Sequence, residues 1–230
     1  MSRRYYTLLC SLPHLPHFLK AKQPPLTPVL LEKRLRMLEP EERAMCDLIL
    51  KSLPWHHLEK HDSGAEITEE YGKLIELAAP YPDLQRTFRV LMEQRIVAAW
   101  YRSRIFGIGR AQEAAKPEGS DAFSPLMAEL ARGKKGVLAH RFPWLAEMQR
   151  CMEEDLPYDL TLLMMELEWK EARRLAFTHP FGFEEVAAYL MRWMILQMRF
   201  AFDTQKAVGR FITLTSEIVS EYRHTNPLFD

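Results

Sequence analysis

Apolar residues recur at helical spacing along most of the chain, and strand-like alternation of Val, Ile and Thr is nearly missing. The pattern predicts a helix over 28–37, where Val29, Leu30, Leu31, Leu35 and Leu38 recur. A second begins near Glu39, with Glu41 and Glu42 in the first turn as the helix dipole favours, a stripe of Met45, Leu48, Ile49 and Leu53, and Pro54 as its stop. Another starts near Thr68, carries Tyr71, Leu74, Ile75 and Ala78, and ends at Pro80-Tyr81-Pro82. A long helix follows over 82–106, with Leu84, Phe88, Leu91, Met92, Arg95, Ile96 and Ala99 on one face. Short helices are expected over 124–131 and from Phe142 to Met152, and a strong one over 158–176 with Leu160, Leu163, Met164, Leu167 and Leu175. The segment 183–202 is apolar nearly all round, as a central buried helix is, and a separate last helix is expected over 204–222.

The intervening segments read as connectors. Pro13, Pro16, Pro24, Pro25 and Pro28 mark 12–28 as an extended surface connector. Residues 56–65 and 132–136 read as polar loops, and 107–124 as a linker or hinge. The expected fold is all-α, a single domain of seven or eight helices with a possible lobe boundary near 107–124. A weak echo relates Leu91–Trp100 to Leu190–Gln197, each a long helix with an arginine in its middle, Arg95 and Arg192.

Composition narrows the function classes. Hydrophobic residues make up 47%, which excludes a wholly disordered chain. Lys+Arg and Asp+Glu are 31 each, so no overall basic field exists to hold nucleic acid. No apolar run is long enough to span a bilayer, and the apolar stretch after Arg3-Arg4 stops at Pro13 without a small-residue cleavage pattern. The three cysteines, Cys10, Cys46 and Cys151, are widely spaced, which fits reduced thiols in a cytoplasmic protein.

Candidate chemistry is sparse. His57 and His61 lie one turn apart in His56-His57-Leu58-Glu59-Lys60-His61 and could offer two imidazoles to a metal. Leu58, however, stands where a HExxH site needs its glutamate. A polar surface loop is the plain alternative; a small metal-dependent hydrolase using His57 and His61 is the enzymatic one. Glu166, Glu168 and Glu171 read as a solvated helix face. Gly107-Ile108-Gly109-Arg110 lacks the third glycine of a dinucleotide fingerprint, and no Gly-x-Ser-x-Gly or P-loop pattern occurs. No cofactor is implied. Charge is uneven: Arg95, Arg102, Arg104 and Arg110 share a stretch without an acid, whereas Glu153, Glu154 and Asp155 sit in an acid-rich one. Opposed patches suit docking to charged protein partners, and helix faces that pair with each other are the alternative.

Two stretches carry a resemblance. Tyr5-Tyr6-Thr7-Leu8-Leu9-Cys10-Ser11-Leu12-Pro13, followed by Pro24-Pro25, resembles the opening of a bacterial family encoded within V-type (A/V-type) ATPase operons. Leu167-Glu168-Trp169, then Phe177-Thr178-His179-Pro180-Phe181, then the helix bearing Tyr189, looks like that family's C-terminal signature. Pro180 and the run Gln197-Met198-Arg199-Phe200 depart from the family pattern. The resemblance implies a short counterpart of the funnel-like C/d subunit, a helical part without catalytic residues that couples the central stalk to the membrane ring. It thus implies a non-enzymatic adaptor, subunit or assembly factor, peripheral to the inner membrane through its partners, the central-stalk and membrane-ring subunits. The motif residues would be Tyr5, Tyr6, Leu12, Pro13, Pro25, Trp169, Phe177, His179, Phe181 and Tyr189, and the candidate interface Arg95, Arg102, Arg104, Arg110, Glu153, Glu154 and Asp155.

Overall fold

The structure, a computed structural model, describes residues 3–53, 64–106, 124–132 and 135–225. The fold is all-α: the described residues form ten helices and no strand. They are α1 (Arg3–Ser11), α2 (Pro28–Leu35), α3 (Pro40–Ser52), α4 (Gly64–Leu77), α5 (Pro82–Phe106), α6 (Ser124–Arg132), α7 (Lys135–Arg141), α8 (Leu145–Glu153), α9 (Pro157–Thr178) and α10 (Phe183–Thr225).

Local chemistry explains the starts. Thr27 caps α2 by accepting from the Leu30 N–H at 3.4 Å, with Pro28 in the first turn, where no N–H is needed. Glu39 and Glu42 form a reciprocal capping box at the head of α3, with Pro40 in its first turn. Pro157 likewise opens α9.

Three expectations are corrected. The stretch 12–27 is irregular, but it is no surface connector: Leu15, Phe18 and Leu26 are buried in the main core. Its carbonyls also accept from the core. Tyr189 donates to Pro13 O at 3.1 Å, and the Trp193 indole N–H to Leu26 O at 2.8 Å. An extended strip with free carbonyls thus meets the polar tips of two core aromatics. Second, the two helices expected over 183–222 are one, because neither Pro nor Gly stands between Phe202 and Thr204. Third, Lys135 and Gly136 belong to the short helix α7, not to a loop.

Packing gathers into two hydrophobic cores. One joins α1, the 12–27 strip, α2, α3 and α4 to the first part of α5, the second part of α9 and the start of α10. The other joins the end of α5, α6, α7 and α8 to the start of α9. Helices α5 and α9 therefore pass through both, and the expected boundary at 107–123 lies outside the described residues. From Val186 to Leu196, α10 is buried at every position except Arg192, which is half-buried, as the all-round apolar pattern foretold. Each wholly buried Leu or Phe contributes about 1.5–3 kcal/mol of transfer free energy.

Candidate functional site

The two motif-bearing ends of the chain meet at the turn between α9 and α10. Helix α9 ends with the His179 N–H on Leu175 O at 3.3 Å, and Pro180 then prevents a further turn. Phe181 follows with φ 63°, a left-handed backbone that costs a non-glycine residue about 1–2 kcal/mol. The glycine comes one residue later, so this strain is not relieved by residue choice. Contacts offset it. The Phe181 N–H donates to Glu185 Oε2 at 2.5 Å, and the Phe181 ring stacks on Tyr6 of α1 at 4.3 Å and 17°. Tyr6 and Phe181 are both exposed, and neighbouring Phe177, on the last turn of α9, is 90% exposed. The turn therefore lifts aromatic surface into solvent while its backbone is held in a strained form. Such outliers concentrate where a protein engages something else.

His179 pins the turn to α5. Its Nε2–H donates to Asp83 Oδ2 at 2.5 Å, and Glu184 Oε1 lies 3.7 Å from Nδ1. The hydrogen bond from His179, then the nearby charges of His179, Arg174 and Arg86, hold the Asp83 carboxyl below its usual value against partial desolvation. Arg174 binds Glu171 at 2.9 Å and Thr87 Oγ1 at 3.3 Å, and the Thr87 hydroxyl donates to Asp83 O at 2.9 Å. These carboxylates stand on opposite sides of the imidazole rather than converging on a point. Among the described residues no group of three or more His, Cys, Asp or Glu is placed to hold a metal ion. His57 and His61 lie outside the described residues.

The other motif residues are mostly structural. Tyr5 donates to Glu42 and tilts against Phe183 at 6.4 Å. Leu12 packs on the main core and Pro25 is half-buried. Trp169 is buried against Phe18 at 5.7 Å and His17 at 5.3 Å, with His17 Nε2 3.0 Å from Glu166. Tyr189 is buried behind the Pro13 carbonyl, and burial pushes its hydroxyl up to about 12, against the pull of Arg34 and Arg192.

The charged candidates divide. Arg102 and Arg104 are exposed, with the Arg104 guanidinium 4.7 Å over the Trp100 ring. Glu153 and Glu154 are exposed, Glu154 paired with Arg150 at 2.8 Å, and Asp155 turns the chain with φ 52°. Arg110 lies outside the described residues. Arg95 is corrected: it is 7% exposed and cannot meet a partner. It bonds Glu168 Oε1 at 3.0 Å and Leu53 O, and lies 5.1 Å from the Tyr71 ring centre. Glu168 is therefore no part of a solvated face either, being 6% exposed. Burial works against the Arg95 charge, but Tyr71 and Glu168 together hold it above its usual value.

Sequence reasoning missed Asp83, Glu184 and Glu185, the acids that hold the turn. Glu184 and Glu185 were visible only as first-turn acids of α10, and nothing near Asp83 in the sequence points to His179, 96 positions away. A shallow cleft of about 310 Å³ lined by Pro125, Glu129, Arg132 and Val137 lies elsewhere, with Glu129 tied to Arg141 at 2.6 Å. No described helix is long and apolar enough to cross a membrane. No family model, curated protein or solved structure matches the chain.

Proposed function

We propose that the chain is a non-enzymatic adaptor, subunit or assembly factor of a V-type rotary ATPase, linking its central stalk to its membrane ring. One observation carries the reading. The two stretches that resemble the ATPase-operon family, far apart in sequence, meet in one exposed feature: Tyr6 from the first stacks on Phe181 from the second, four residues after solvent-facing Phe177. Exposed aromatic rings on a turn hydrogen-bonded to α5 have the chemistry of a protein-binding hot spot. The exposed charges Arg102, Arg104, Glu153, Glu154 and Asp155 would steer the encounter. On this reading the funnel-like C/d architecture, the cytoplasmic location and the attachment to the inner membrane through partners belong together. Torque would pass through packed aromatic and charged contacts.

The test is co-expression of the tagged chain with the ATPase genes, followed by purification. Stoichiometric recovery of central-stalk or ring subunits, reduced by Phe177→Ser, supports the reading. Purification of the chain by itself, where the ATPase assembles, overturns it as a permanent subunit. Unchanged ATPase assembly after deletion of the gene overturns the assembly-factor role.

A further inference from the structure

Helix α2 carries apolar side chains on two sides. Leu31 and Leu35 are buried in the main core. Val29 and Leu30 are 75% and 48% exposed, and Met37, in the turn that closes the helix, is 38% exposed. At about 100° per residue, Lys33 falls between Val29 and Leu30 on the side away from the core. Arg36 follows in the closing turn and is exposed as well.

This outer face is held in place. Thr27 caps the helix, and Leu26 just before it is buried, with its carbonyl accepting from the Trp193 indole N–H at 2.8 Å. One exposed apolar residue needs no explanation. Two in succession on a capped, anchored helix, a third in its closing turn and cations among them form a surface of defined chemistry. The charge is one-sided. From Leu19 to Met37 the chain carries Lys20, Lys22, Lys33, Arg34 and Arg36 against a single acid, Glu32. Glu32 is shared by Arg36 at 3.4 Å and Arg43 at 3.6 Å. Among the described residues no carboxylate lies at ion-pair distance from Lys20, Lys22 or Lys33, and all three are exposed. The whole chain is neutral, so this excess of positive charge is local.

We propose that the outer face of α2, with Val29 and Leu30 at its centre and Lys33 and Arg36 beside them, docks on the surface of an anionic lipid bilayer. Charge complementarity selects the occupant. On an interfacial helix the apolar side chains enter the acyl boundary while the cations meet anionic headgroups. An acidic protein face would have to set its carboxylates opposite each cation. A fluid headgroup layer needs no such register, which suits lysines, compact charges on flexible stems. Insertion is shallow, since α2 has eight residues and no described helix is long and apolar enough to cross a membrane. So small an apolar area gives reversible binding and needs headgroup charge as its second signal. The contact stands apart from the ATPase reading, because the chain by itself should bind lipid.

The experiment is co-sedimentation of the full chain with two kinds of vesicle, phosphatidylcholine alone and equal parts of phosphatidylcholine and phosphatidylglycerol, at low salt and in about 0.5 M salt. The expected result is saturable binding to the anionic vesicles only, falling steeply at high salt. V29S/L30S and K33Q/R36Q should each weaken it about tenfold or more. Phe177→Ser should bind as the wild type does, which keeps a failure here distinct from a failure of the protein-binding turn. Thermal unfolding of V29S/L30S is the second readout and should match the wild type, because both side chains are exposed. Absence of sedimentation with anionic vesicles overturns the proposal. So does equal binding to neutral ones, or binding that survives both double variants. A markedly less stable V29S/L30S chain would put these side chains under cover within the fold and overturn it too. Binding of polyglutamate, run in parallel, with no binding of anionic vesicles assigns the face to an acidic protein and overturns the lipid reading.

Discussion

Replacing Glu168 by Ala should destabilise the fold by about 3–5 kcal/mol, because it takes a carboxylate at hydrogen-bond distance away from the buried Arg95 charge. The structure sets the terms. Arg95 and Glu168 are each less than a tenth exposed and lie 3.0 Å apart, with Leu53 O and the Tyr71 ring also against the guanidinium. The Leu53 carbonyl and a ring centre 5.1 Å away are worth about 1–3 kcal/mol between them, less than a buried carboxylate supplies. Arg95→Met should cost a similar amount, since it takes the guanidinium away from both the buried Glu168 carboxylate and the Leu53 carbonyl. The double change Arg95→Met/Glu168→Met removes both charges and should cost only about 1–2 kcal/mol, chiefly the orphaned carbonyl. The two sites should therefore couple by about 3 kcal/mol or more. Urea unfolding at pH 7 measures all four stabilities, with an unchanged slope as evidence that the same surface is exposed. Single changes below about 1 kcal/mol, or strict additivity, would refute a dry ion pair at the junction of α3, α4, α5 and α9.

The remaining predictions concern the turn, its charges and the thiols. Phe177→Ser should leave the unfolding temperature unchanged, as a 90% exposed ring has little packing to lose, while reducing partner capture; a fall in stability would show that Phe177 is covered by the chain itself. Asp83 has its folded-state carboxyl held below the unfolded value, so its contribution is full above about pH 4 and is lost as pH falls through the lowered value. Asp83→Asn should therefore be less stable than the wild type at pH 6, with the gap closing below about pH 4, and a gap that widens in acid would contradict the pairing. Of the thiols, Cys10 is exposed while Cys46 and Cys151 are buried, with burial pushing Cys46 up to about 12 and raising Cys151 as well. A thiol reagent at pH 8 should react quickly with Cys10 and reach the other two only on unfolding, which a C10S variant would confirm by losing the fast phase.

The helical class and most helix bounds were readable because 3.6-residue periodicity and proline stops are local signals. Helix α5 illustrates this: Pro82 opens it and its apolar stripe persists to Phe106. The 12–27 strip was misread because proline density reports backbone conformation and not burial. Leu15, Phe18 and Leu26 carried the burial signal, but without periodicity nothing locates their partners. The turn was readable only as a motif. Its strain at Phe181 and its tie to Asp83 depend on how α5 and α9 pack, which the residues near position 180 do not encode.

One signal was present in the sequence and can be read in retrospect. A charged residue on an apolar stripe must find an opposite charge, leave for solvent, or wait for a ligand. Arg95 sits among Leu91, Met92 and Ile96, and Glu168 one turn from Met164 and Ala172, so each was an anomaly of its own helix and each answers the other. Arg192 stands in the same position on α10, between Met191 and Trp193 in the most apolar stretch of the chain. Glu185, two turns earlier on the same helix, is the acid whose charge acts on it, while its Oε2 also accepts from the Phe181 N–H. The weak likeness between the helices of Arg95 and Arg192 thus ends in opposite outcomes. One arginine meets a carboxylate inside the fold, and the other, only half-buried, keeps access to solvent while its Nε donates to Ala188 O.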